Sequence, residues 1–189
     1  VIKPVKSTLR RCLGIVLCGW IVLVGSVGIM DGAQAADVSE QDIKASYLLN
    51  FIRFTEWPAE SFASSNAPIN VAIIGKDPFG SKIDAIFEGE KAGGRPLVLR
   101  RAARLEDAGD THVVFIPAGE TVEAAALPGR PVLLVGDGRD FIRDGGMVRF
   151  AVEKGRVVFD IQRTTTEKAG LKINSRLLRL ARKVEGTGD

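Results

Sequence analysis

Cysteine and histidine are nearly missing from this chain, and their scarcity removes most covalent and metal chemistry at once. The 189 residues contain two cysteines, Cys12 and Cys18, and both fall in a stretch that reads as an export leader. Once that leader is removed no thiol remains, which excludes a cysteine nucleophile, a thiolate metal site and an internal redox switch. A domain of the remaining length builds its own core and needs no disulfide outside the cytoplasm. The one histidine, His112, could only join a metal site completed by carboxylates, and no Gly-x-Ser-x-Gly elbow accompanies it. A structural role for His112 is favoured over a catalytic one. An excess of charge is missing too. The formal net charge of +3 comes wholly from Lys3, Lys6, Arg10 and Arg11 set against Asp31, so the remainder is neutral and nucleic acid is not an expected partner.

What is present defines a globular protein. With 46% hydrophobic and 26% charged residues, disordered, collagenous and coiled-coil classes are excluded. One long apolar run exists, Leu13 to Met30, placed between the N-terminal cations and Ala33-Gln34-Ala35, which is the order of a secretory leader. Cleavage is expected after Ala35, with 1–35 removed and 36–189 forming a single α/β domain. The alternative is an N-terminal anchor in the inner membrane. Either way the domain lies in the periplasm.

Ser39-Glu40-Gln41-Asp42 reads as a capping box, after which Ile43, Tyr47, Phe51 and Phe54 recur at helical spacing until Trp57-Pro58. Ser61 to Pro68 is a loop. Apolar β-rich runs follow at Ile69–Ile74, Pro96–Leu99, His112–Ile116 and Pro131–Val135, separated by helical or loop stretches at Ser81–Phe87, Leu105–Ala108, Glu120–Ala126 and Asp140–Asp144. This alternation predicts a largely parallel sheet with helices on both faces. Met147–Val152 and Val157–Ile161 predict an antiparallel hairpin with Gly155 at positive φ, forming one edge of the sheet. Thr164–Ala169 is a short helix stopped by Gly170. Asn174-Ser175 then caps a final helix through Val184, with Leu177, Ala181 and Val184 on one face and Arg176, Arg179 and Lys183 on another.

No motif carries catalysis. Gly75-Lys76-Asp77-Pro78-Phe79-Gly80-Ser81-Lys82 stands where a phosphate-cradling loop belongs, but Ser81 precedes Lys82 and Pro78 removes a backbone N–H, so a strand-to-helix turn is the better reading. Gly136-Asp137-Gly138-Arg139-Asp140-Phe141 starts like a dinucleotide fingerprint and fails at Phe141, where a small residue is required. Asp137, Asp140 and Asp144 fit no EF-hand spacing. Arg95, Arg100, Arg101 and Arg104 could hold phosphate, but read more simply as a solvated face. The absence of catalytic, metal or cofactor residues in any workable pattern predicts a protein that is not an enzyme and needs no cofactor.

Three segments in series resemble the YfiR family. They are Lys44-Ala45-Ser46-Tyr47-Leu48-Leu49-Asn50-Phe51-Ile52-Arg53-Phe54-Thr55-Glu56-Trp57-Pro58, then Ile73-Ile74-Gly75-Lys76-Asp77-Pro78-Phe79-Gly80, then Gly145-Gly146-Met147 through Val157-Val158-Phe159-Asp160-Ile161 to Ala169-Gly170-Leu171-Lys172-Ile173-Asn174-Ser175-Arg176-Leu177-Leu178-Arg179-Leu180-Ala181. The resemblance implies a periplasmic repressor, acting without catalysis, that binds the periplasmic sensor region of an inner-membrane diguanylate cyclase, or of another sensor such as a histidine kinase. A homodimer is compatible with it. Leu49 stands where relatives often carry an aromatic residue, and the disulfides of some relatives cannot form here.

Asn50, Arg53, Glu56 and Trp57, polar or amphipathic at the end of the first helix, are the first candidates for partner binding. Trp57 could equally cap the core, as Tyr47, Phe51 and Phe54 do by their spacing. Arg176, Arg179 and Lys183 form the second candidate group, with plain solvation near a helix C-terminus as the alternative. A different class of function also fits: a soluble small-ligand-binding module, with its site at the carboxyl edge of the sheet between the Gly75 and Gly136 turns.

Overall fold

The computed structural model describes residues 38–120 and 130–186. The leader, and all but the first residue of the helix expected over Glu120–Ala126, lie outside them. In chain order the elements are α1 (Glu40–Arg53), β1 (Thr55–Glu56), β2 (Ile69–Ile74), α2 (Ser81–Phe87), β3 (Lys91–Ala92), β4 (Arg95–Ala102), β5 (Val113–Ile116), β6 (Leu133–Gly136), β7 (Val148–Glu153), β8 (Arg156–Gln162), α3 (Arg163–Lys168), β9 (Lys172–Ile173), α4 (Ser175–Leu180) and β10 (Lys183–Glu185). Short 3-10 turns cover Ala59–Ser61 and Leu105–Ala108.

The capping box forms as the sequence predicts. Ser39 Oγ accepts the Asp42 N–H at 3.2 Å and Asp42 Oδ2 accepts the Ser39 N–H at 3.0 Å. From that start α1 turns Ala45, Leu48, Phe51 and Ile52 into the core, the apolar stripe that a 3.6-residue period produces. The sheet beneath has eight strands in the order β10-β8-β7-β6-β5-β2-β4-β3. Neighbours run parallel except at β7–β8 and β3–β4. Ile73, Phe115, Val135, Val148 and Ile161 stand in one register row across five strands. Over β7 and β8, the Phe51 ring lies 5.3 Å from Phe150 and 4.8 Å from Phe159. Such offset and edge-on contacts add to the area buried. β5 and β6 are buried at every residue, as expected where both faces of a strand are covered. The turn Leu105–Ala108 packs beside β4 and β2.

Two expectations about the chain end are corrected. The final helix stops at Leu180 instead of running to Val184: Ala181 is extended (φ −65°, ψ 140°) and Lys183–Glu185 form β10, parallel to β8. The cause is a buried charge. Asp160 on β8 is 3% exposed, and Arg182 reaches it with Nε at 2.9 Å and a second guanidinium nitrogen at 2.6 Å. The Arg182 N–H also donates to the Phe159 carbonyl at 2.8 Å. A helix through residue 182 would forfeit these bonds. The hairpin consequently does not form the edge of the sheet, because β10 lies outside β8. Its turn is as expected, with Lys154 at φ 50° and Gly155 at φ 74°, the left-handed pair that a two-residue hairpin requires.

Candidate functional site

The positions where sequence patterns hinted at ligand chemistry are filled by the chain itself. In the Gly75–Lys82 turn, Asp77 accepts the Phe79 N–H at 2.7 Å and Arg101 Nε at 2.7 Å, and Phe79 packs its ring 4.8 Å from Phe115. In the Gly136–Phe141 turn, the Phe141 ring lies against the Gly136 Cα: a Cβ there would meet it at 2.7 Å and the Ile116 carbonyl at 2.8 Å. Gly136 is glycine so that Phe141 can sit on the strand end. Asp137 is held by Lys44 at 2.8 Å, which also pairs with Glu40 at 2.7 Å. Burial pulls the Lys44 pKa down, but the hydrogen bonds it donates to the Asp137 and Glu40 carboxylates outweigh this and its pKa is raised.

His112 is engaged at both ring nitrogens. Nδ1 accepts the Asn70 N–H and Nε2 donates to the Ser61 carbonyl, each at 3.1 Å. Its ring stacks 4.6 Å from Phe62, whose other contact is the Arg95 guanidinium 3.6 Å above the ring. Burial, the largest influence, lowers the His112 pKa and so favours the neutral ring, while the Asn70 N–H donated to Nδ1 leaves the proton on Nε2. The arginines from Arg95 to Arg104 are similarly committed, save one. Arg95 donates to the Ser64 and Ala67 carbonyls, Arg101 pairs with Asp77 and Asp84, and Arg104 pairs with Asp107. Arg100 carries no ion pair among the described residues.

One member of the first candidate group, Glu56, is brought beside two of the second, Arg176 and Arg179, by contacts that leave no sequence signal. β1 pairs antiparallel with β9, placing Glu56 opposite Lys172 and Thr55 opposite Ile173. The Phe54 carbonyl accepts the N–H of Asn174 at 2.8 Å. Asn174 is the N-cap of α4, its side chain accepting the Arg176 N–H at 2.9 Å. The end of α1 and the start of α4 therefore form one corner. On it Glu56, Lys172, Arg176 and Arg179 are exposed, and Leu180 is 67% exposed, unusual for a leucine. Beside α4 a groove of about 450 Å³ has Leu171, Ile173 and Leu178 in its wall, with Arg163, Glu167 and Lys172 around them.

The other candidates are placed differently. Asn50 is half-buried on α1, and Arg53 pairs with Glu90. Trp57 is half-buried against the core and donates Nε1–H to the His112 carbonyl at 3.3 Å. Lys183 is on β10, paired with Glu185 at 2.7 Å, and so does not continue the α4 stripe. Lys172 and Leu180 were missed by the sequence reading. An exposed leucine directly after Arg179 is the one signal that could have found the second of them.

No group of three or more His, Cys, Asp or Glu side chains converges among the described residues, and no helix there is long and apolar enough to cross a membrane. The assembled features define an α/β domain whose distinctive surface is a basic, partly apolar corner. The chain belongs to the YfiR/HmsC-like family, whose model matches residues 41–182. This is a family of regulatory proteins of the periplasm and the cyclic diguanylate system. No curated protein matches the chain.

Proposed function

We propose that the mature chain, released by cleavage after Ala35, represses an inner-membrane diguanylate cyclase by docking the β1–β9–α4 corner on the cyclase's periplasmic sensor region. The observation that carries this reading is the corner itself: Arg176 and Arg179 have no carboxylate partner among the described residues, and they flank exposed Leu180. Arginine is enriched in interfaces and their hot spots, and Leu180 adds exposed apolar area beside it. A repressor of this kind shifts its target only by its differential affinity for the inactive conformation. Glu56, opposite Lys172 in the β1–β9 pair, joins the corner from the α1 side.

Binding of a small ligand at the carboxyl edge of the sheet is the competing reading. Engagement of Asp77 by Arg101, of Asp137 by Lys44, and of the Gly136 surface by Phe141 speaks against it. Deleting the gene should raise cellular cyclic diguanylate, and the chain carrying Arg176→Glu and Arg179→Glu should fail to lower it again while remaining folded. Unchanged cyclic diguanylate on deletion would sink the repressor reading. Full repression by the folded double variant would move the docking site elsewhere.

A further inference from the structure

At the amino end of the parallel strands a loop is clasped by one imidazole. The loop spans residues 59–68, from the turn Ala59–Ser61 to Pro68 before β2, and its middle, Ala63 to Asn66, is exposed. Side chains from elsewhere in the fold hold it. His112 Nε2 donates to the Ser61 carbonyl at 3.1 Å, and the imidazole stacks 4.6 Å from the Phe62 ring. Arg95, 3.6 Å over that same ring, donates to the Ser64 and Ala67 carbonyls. One group opposes the closed position: the Ser61 hydroxyl is buried without a hydrogen-bond partner, a cost that opening would remove.

The backbone that carries the imidazole is fixed. The His112 N–H donates to the Asn70 carbonyl at 2.9 Å, and the His112 carbonyl accepts the Leu133 N–H at 2.9 Å and Trp57 Nε1–H at 3.3 Å. In the neutral ring Nδ1 accepts the Asn70 N–H at 3.1 Å. A proton on Nδ1 would set two donors against each other. Enclosure is the largest penalty on the charged ring, His112 being 8% exposed; Arg95 and Arg130 add to it, while the Ser61 carbonyl and Asp110 favour the cation. A cavity of about 360 Å³, lined by Ser61, Phe62 and Pro68 of the loop and by Asn70, Thr111 and His112 of the strand ends, gives water a place to enter. With the strand ends locked, the loop is the part that yields.

We propose that protonation of His112 detaches the 59–68 loop from the strand ends, freeing Phe62 and admitting water to the imidazolium, while the sheet stays folded. Opening is coupled to one proton. The open-to-closed ratio therefore rises about tenfold for each unit the pH falls between the ordinary histidine value of 6.5 and the lower value of the closed form. The device is a property of the domain and does not depend on the proposed repressor role.

His112 is the chain's one histidine, so its imidazole proton resonance reports its titration directly. Hydrogen exchange read by mass spectrometry on the purified protein, between pH 7.5 and 4.5 and corrected for intrinsic rates, reports the loop. The Ser61, Phe62 and Ala67 amides, bonded to the Pro58, Ala59 and Ser64 carbonyls, should lose protection at least tenfold as the imidazole titrates, with β5 and β6 unchanged. This arm needs no variant. In His112→Gln the loop amides should keep one level of protection across the whole range. Loop protection that stays constant while the imidazole titrates, a loss shared equally by β5 and β6, or a pH step that survives in His112→Gln overturns the proposal.

Discussion

The first turns of α1 and the surface of α4 carry comparable densities of charge and treat it oppositely. Around α1, Lys44 bonds Glu40 and Asp137, while Asp42 receives both Ser39 and Lys82. That arrangement lowers the Asp42 pKa to about 2, chiefly through the Lys82 hydrogen bond. Around α4, Arg176 and Arg179 have no acidic partner among the described residues; Arg179 reaches only Ser175 Oγ, at 3.5 Å. Charges that are buried and paired fix the position of one element on another. Charges left exposed and unpaired contribute little to folding and remain available to a partner. Position on a helix is therefore a poor guide to the role of a charge here. The neighbour across the fold decides it.

The comparison breaks most visibly where a paired charge is most deeply enclosed. Asp160 accepts Arg149 and Arg182, each at 2.6 Å. Burial alone would raise its pKa, but the bonds from Arg182 and then Arg149 lower it. Asp160→Ala should cost about 3 kcal/mol in urea unfolding, because it leaves the Arg149 and Arg182 guanidiniums without their shared carboxylate. The same carboxylate makes the fold acid-sensitive. Its folded pKa lies below the unfolded value of 3.8, so its contribution is complete above that pH and is lost as pH falls through the lower folded value.

Lys44→Met should come next, at about 2 kcal/mol, since it leaves Asp137, 14% exposed, without its cation. Unfolding midpoints of Lys44→Met and of Lys44→Met with Asp137→Asn together would show whether the loss resides in the orphaned carboxylate, because the double variant should recover part of it. His112 supplies a smaller and pH-dependent effect. Its folded pKa is below the unfolded 6.5, so stability is full above pH 6.5 and declines as pH drops through the folded value. Protonation would also turn Nδ1 from acceptor to donor against the Asn70 N–H. The chain with His112→Gln should melt at a lower temperature at pH 7.5, with a flatter dependence between pH 7.5 and 5. Smallest in stability should be Arg176→Glu with Arg179→Glu, within about 0.5 kcal/mol of the parent. That pair is nevertheless the one expected to abolish repression, and the contrast with Asp160→Ala is the sharpest test of the distinction between paired and unpaired charge.

Amino-acid order alone determined the elements that carry a period or a terminal signal. The capping box of α1, its apolar stripe, the continuous β-branched runs of β2 and β5, and the Lys154-Gly155 turn are local features, and local sterics and burial pattern suffice to specify them. The resemblance over three segments likewise lies in the sequence and agrees with the match to residues 41–182. β1, β3 and β9 are two residues long and β10 is three, too short to show alternation, and the hydrogen-bonding partners of β1, β9 and β10 are remote in the chain. The joint between α1 and α4 was decided by the β1–β9 pairing. The end of α4 shows the limit most clearly. Leu177, Ala181 and Val184 have helical spacing, yet the chain becomes extended after Leu180 because Arg182 must reach a buried Asp160 on a strand that only tertiary folding brings beside it. A periodic pattern reports which face a segment can bury, whereas a long-range ion pair in a low-dielectric interior can outweigh it, and its existence depends on where the rest of the chain has gone.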